Sequence, residues 1–237
     1  MNGALPVASS FVREHLRDPL TLGLLLTIPV LFVVLTADVL EDFARALGGS
    51  LAGDGAGALG AGWAAAFLAG ALGYFQVASS RGADRRLALA GLGPWRVAGG
   101  RIGASLALGV VVSVAAFLTL AVAQGIEHPA HAAIAIFAFA AIYIGIGAIV
   151  GSLIRDQLAG SLAIVFVFMI DVFSGPGMSG AGGLAEVTPT RDAAELLISA
   201  GAGEASPGAD WVSVAVIAGA ALSIAFATFW FAARARS

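Results

Sequence analysis

Apolar positions fall in long, charge-free runs rather than in strand-like alternation. A hydrocarbon core of roughly 30 Å needs about 20 helical residues at about 1.5 Å each. Five runs reach that scale: Leu20 to Ala37, Leu59 to Ser80, Ile102 to Gln124, Ala132 to Ile154 and Trp211 to Ala233. A sixth, Gln157 to Phe173, is interrupted by Asp171 near one end and breaks at Gly175-Pro176-Gly177. The pattern predicts an all-α polytopic membrane protein, one transmembrane domain over residues 1–237 with six transmembrane helices. The first run follows an arginine-bearing segment but lacks a small-x-small cleavage site, so it reads as a retained span and not as a signal peptide.

Three segments between or before the runs have their own pattern. In residues 4–18, Leu5, Ala8, Val12, His15 and Leu16 recur at helical spacing with polar residues elsewhere on the wheel. This predicts an amphipathic helix at the membrane interface, with Phe11, Val12, Arg13, Leu16 and Arg17 at the lipid boundary and a stop at Asp18-Pro19. Residues 81–101 hold a helical stretch from Ala83 to Ala90, closed by Gly91, Gly93 and Pro94. Residues 174–210 are glycine-rich and then helix-like from Thr190 to Ser199, with Pro189 suited to a first helical turn. Irregular backbone at membrane depth needs protein or a water-filled cavity around it. The segment is therefore expected to fold back as a re-entrant outer segment between spans five and six.

Composition excludes a soluble domain: 59% of the 237 residues are hydrophobic, 11% are charged and mean hydropathy is +0.95, whereas soluble domains carry about 25% charged residues. A net charge of -3 offers no basic surface to nucleic acid. There is no cysteine, hence no disulfide, thiol nucleophile or thiolate metal site. All twelve basic residues are arginine, and a chain without lysine has no Walker A phosphate loop. With the N-terminus inside, Arg13, Arg17, Arg81, Arg85, Arg86, Arg96, Arg101, Arg155, Arg234 and Arg236 are all cytoplasmic, and only Arg45 and Arg191 are outside. This asymmetry predicts a multi-pass protein of the cytoplasmic membrane with both termini in the cytoplasm.

Few residues suggest chemistry. Gln76, Gln124 and Tyr143 are candidates to line a pathway or to hydrogen-bond between helices, with helix-end capping as the alternative. Asp38 and Asp171 lie near outer ends, where an ionised carboxylate can reach water. Gly70 with Gly73, Gly99 with Gly103 and Gly147 with Gly151 mark close helix approach, and Pro29 is expected to kink the first span. His128 and His131 are placed in a short loop beside Pro129, as loop residues rather than metal ligands. Gly177-Met178-Ser179-Gly180 matches the Gly-x-Ser-Gly signature of rhomboid intramembrane proteases, but no histidine follows position 131 to serve as the base.

Order and spacing over nearly the whole chain resemble the permease subunits of type-2 ATP-binding-cassette exporters. Arg17-Asp18-Pro19 precedes the first span, the stretch from Ser80 to Pro94 lies where that family carries its coupling helix, and Leu184 to Arg191 is similar to its outer Asn-Pro-like turn, with Thr188 in place of the asparagine. The resemblance implies coupling to a separate ATPase through Arg81, Asp84, Arg85, Arg86, Leu87 and Leu89. It implies an outer re-entrant segment carrying Glu186, Pro189 and Arg191, and a second permease chain, identical or related. ATP and Mg would be bound by the partner subunit, with no cofactor in this chain. The expected function is export of a hydrophobic or amphipathic substrate, a drug or lipid, with the chain itself no enzyme. The alternatives are an ion- or proton-coupled carrier and a rhomboid-like protease.

Overall fold

Backbone groups in lipid must be satisfied within their own segment unless a barrel closes, and the long regular elements among the described residues are α-helices. The structure, a computed structural model, describes residues 19–51, 53–79, 81–87, 91, 93–178, 188–202 and 208–234. The expected interfacial helix over residues 4–18 lies outside the described residues, as do Leu89, Ser179 and Glu186. The helices are α1 (Pro19–Ala46), α2 (Asp54–Ala78), the two-turn α3 (Arg81–Leu87), α4 (Pro94–Ala123), α5 (Pro129–Leu153), α6 (Gln157–Phe173), α7 (Arg191–Ala202) and α8 (Gly208–Arg234). Prolines open α4 and α5, where the missing N–H costs nothing. Asp156 caps α6, its carboxylate accepting from the Ala159 N–H at 2.7 Å. Helix α1 runs unbroken through Pro29.

Five helices, within α1, α2, α4, α5 and α8, are long and apolar enough to cross a membrane, while α6 is apolar but shorter at 17 residues. The chain is a multi-pass membrane protein. Burial divides the five: 78% of the apolar stretch of α2 and 67% of that of α5 is buried, against 22%, 33% and 17% in α1, α4 and α8. The centre is thus α2 against α5, and its residues explain why. A Cβ at Gly147 would stand 2.1 Å from the Gly70 carbonyl oxygen, and one at Gly73 would stand 2.5 Å from that of Ile144. Bare glycines let the two backbones touch, the packing role read for these pairs.

The outer helices turn apolar stripes away from the core. Val110, Val114, Leu118 and Val122 on α4, and Leu158, Leu162, Phe166 and Ile170 on α6, recur every fourth residue and are exposed. Such stripes would be an aggregation hazard in water and suit a hydrocarbon surround. Helix α6 runs from one end of the bundle to the other. It starts where the Tyr74 hydroxyl donates to the Gln157 carbonyl at 2.8 Å and ends with the Phe173 ring 5.2 Å from that of Phe43 on α1. Gly177 then adopts φ 76°, and its carbonyl accepts from the N–H groups of Ser50 and Leu51, both at 3.0 Å. Helix α7 packs on α2 and α5 through buried Ala193, Ala194, Leu196 and Leu197.

Candidate functional site

One face of α6 is buried at Gly160, Ile164, Phe168 and Asp171, and the last of these builds a polar point within the core. Asp171 is 1% exposed. Tyr143 on α5 donates its hydroxyl to Asp171 Oδ2 at 2.8 Å, and Thr190, just ahead of α7, donates to the same oxygen at 2.7 Å. The sequence placed this carboxylate in reach of water; the fold instead closes Tyr143 and the start of α7 over it. Among the described residues its Oδ1 has no hydrogen-bond partner, and neither does Nε1 of the fully buried Trp63. Two neutral hydroxyls from separate elements thus converge on one carboxyl oxygen.

At the opposite end of the bundle Arg101, also buried, donates to Gln76 Oε1 at 2.9 Å. Gln76 and Tyr143 thus both bond between helices. Gln124 instead ends α4 as an exposed C-cap, its amide lying over Gly57. Of the coupling residues, Arg81, Asp84 and Arg85 fall on α3, Arg86 is exposed, and Leu87 is half-buried against a cluster containing Val77, Val97, Ile102 and Phe229. Pro189 sits in the turn before α7, and Arg191 opens that helix with an ion pair to Glu195 at 2.9 Å. The predicted site residues therefore do not converge: the α3 group and Gln76 lie at the arginine-rich end, and Tyr143, Pro189 and Arg191 gather toward the other.

Sequence reasoning missed the Asp171–Thr190 pairing, although a signal existed. The exposed stripe of α6 at every fourth residue leaves Ile164, Phe168 and Asp171 together on the opposite face. His131 is a second correction. It lies within the first turn of α5 and not in a loop, because Pro129 starts the helix two residues earlier, and its ring stands 5.0 Å from that of Trp211. Among the described residues no three His, Asp or Glu side chains are grouped to hold a metal ion.

Compared with protein-family models and with curated proteins, the chain matches none.

Proposed function

We propose that this chain is the permease subunit of an ATP-driven exporter of the type-2 ATP-binding-cassette kind, moving a hydrophobic or amphipathic substrate across the cytoplasmic membrane by alternating access. The observation that carries the reading is α3. Two turns of helix with exposed Arg86 stand between the central helix α2 and the long α4, at the end of the bundle where Arg96, Arg101 and Arg155 also lie. Leu87 ties α3 to the inner ends of α2, α4 and α8. A soluble ATPase that grips α3 as it closes on nucleotide would pull on three helices at once. In this reading α6 is the sixth span, both termini are cytoplasmic, α7 is the re-entrant outer helix, and two permease chains meet two ATPase chains that supply ATP and Mg. Its long axis supports counting α6, since 17 residues extend about 25 Å.

The test uses charge reversal, because a like charge placed at a contact costs more than a lost one. Arg85→Glu with Arg86→Glu, in a chain that still inserts, lowers co-purification of the ATPase or its substrate-stimulated turnover. Arg234→Glu with Arg236→Glu does much less. Wild-type assembly and coupled transport in the α3 variant would remove the coupling role.

A second reading, a proton- or cation-coupled carrier, is favoured by the burial of the Asp171 carboxyl group among the helices. Transport by the pure chain in vesicles, driven by an ion gradient without nucleotide and lost in Asp171→Asn, would select it.

A further inference from the structure

The two-turn helix α3 is attached to its neighbours unequally. On the α2 side Ser79 continues in helical conformation, φ -76° and ψ -23°, its N–H donating to the Phe75 carbonyl at 3.1 Å, and α3 starts two residues later at Arg81. On the α4 side stand Gly91 and Gly93, at φ 95° and 73°. A Cβ at Gly91 would meet nothing within 4 Å. Glycines that nothing packs against offer little resistance to rotation. A force on α3 therefore passes along the backbone to α2 far better than to α4.

What holds α4 to α2 at this end is side-chain contact. Val77 of α2 packs in a buried cluster with Val97, Ala98 and Ile102 of α4. Beside them Arg101 of α4, 7% exposed, donates to Oε1 of Gln76 of α2, 4% exposed, at 2.9 Å. Apolar surfaces in contact can slide, since hydrophobic attraction has no preferred direction. A guanidinium N–H bonded to one oxygen instead fixes how far α4 lies along α2. Both groups are buried, so no water takes over the bond when the helices slip.

We propose that Arg101 and Gln76 are positioning residues, their bond being the tie through which a pull on α3, received by α2, carries α4 along in register. The proposal rests on the exporter reading, in which a separate ATPase grips α3. Helix α3 is then the grip, and the buried pair is the link to the next span.

The test uses the full chain purified from its host's membranes together with the ATPase it captures. Because the chain has no cysteine, Phe75→Cys on α2 and Trp95→Cys on α4, at sites 44% and 47% exposed, take a pair of spin labels. With Arg101 and Gln76 intact, the label distance should be the same without nucleotide and after trapping with ATP and vanadate, because the two helices move together. Arg101→Met with Gln76→Met removes donor and acceptor at once, so neither strands the other. ATPase capture should persist in that variant, while trapping should shift and broaden the label distance. Gln76→Glu keeps an oxygen for the guanidinium and should behave as wild type. If the double variant fails to insert, Gln76→Met alone removes the acceptor and is read in the same way. An unchanged distance in the double variant, whatever its melting temperature, would show that the apolar cluster suffices and would overturn the tie. So would a nucleotide-dependent distance with the pair intact. A chain that captures no ATPase removes the exporter reading itself, whereas a captured ATPase with an indifferent double variant removes the tie alone.

Discussion

A carboxyl group removed from water is tolerable only where donors reach it, and two hydroxyls reach Oδ2 of Asp171. Removing the acceptor strands two buried hydroxyls at about 1–3 kcal/mol each, so Asp171→Ala should be the most damaging change in this cluster. Asp171→Asn keeps a carbonyl oxygen in place and should lose less, and Tyr143→Phe should cost about 1 kcal/mol. Thermal unfolding of the purified, correctly inserted variants in detergent ranks them. Asn and Ala variants of equal stability would mean that the hydroxyls do not depend on this oxygen. The chain order shows Asp171, Tyr143 and Thr190 as isolated polar residues in apolar surroundings. Their meeting is a property of three separate elements.

At the scale of elements, the difference between helices in contact and helices apart comes down to which glycines face which backbone. Gly147→Ala puts a methyl into the Gly70 carbonyl, 2.1 Å away with the Tyr74 N–H at 2.9 Å. The α2–α5 pair must separate, at a cost of about 1–3 kcal/mol. Gly219→Ala on α8 meets nothing within 4 Å and should stay within about 0.5 kcal/mol of wild type. Melting temperatures of the two variants, compared in one detergent, check this; equal losses would show that the seam is not rigid. The sequence displays the small-residue spacing in both the α2–α5 seam and the α4 face. It does not say that Gly147 meets a backbone while a Cβ at Gly99 on α4 would come no nearer than 3.9 Å to the Phe226 ring, because a glycine lacks the side chain that would reveal its neighbour.

For the whole molecule, the number of crossings turns on α6. The absence of cysteine makes labelling direct: single cysteines at Ser50 and Ser206 should react with an impermeant maleimide in intact cells, and one at Ser80 only after permeabilisation. If α6 does not cross, Ser206 joins Ser80 on the protected side and the six-span arrangement falls. The sequence by itself determined the solvent of this protein, its helical class and the long apolar helices, because the bilayer acts on each continuous segment separately and every such segment must satisfy its own backbone. Only the tertiary structure decided which helices form the centre, that Asp171 is enclosed rather than wet, and which polar groups are paired. Those outcomes rest on contacts between residues 28, 25 and 19 positions apart, Tyr143 with Asp171, Gln76 with Arg101 and Asp171 with Thr190. A one-dimensional pattern of apolar positions specifies where a chain is buried in lipid, whereas burial in protein depends on which other segment arrives to cover it.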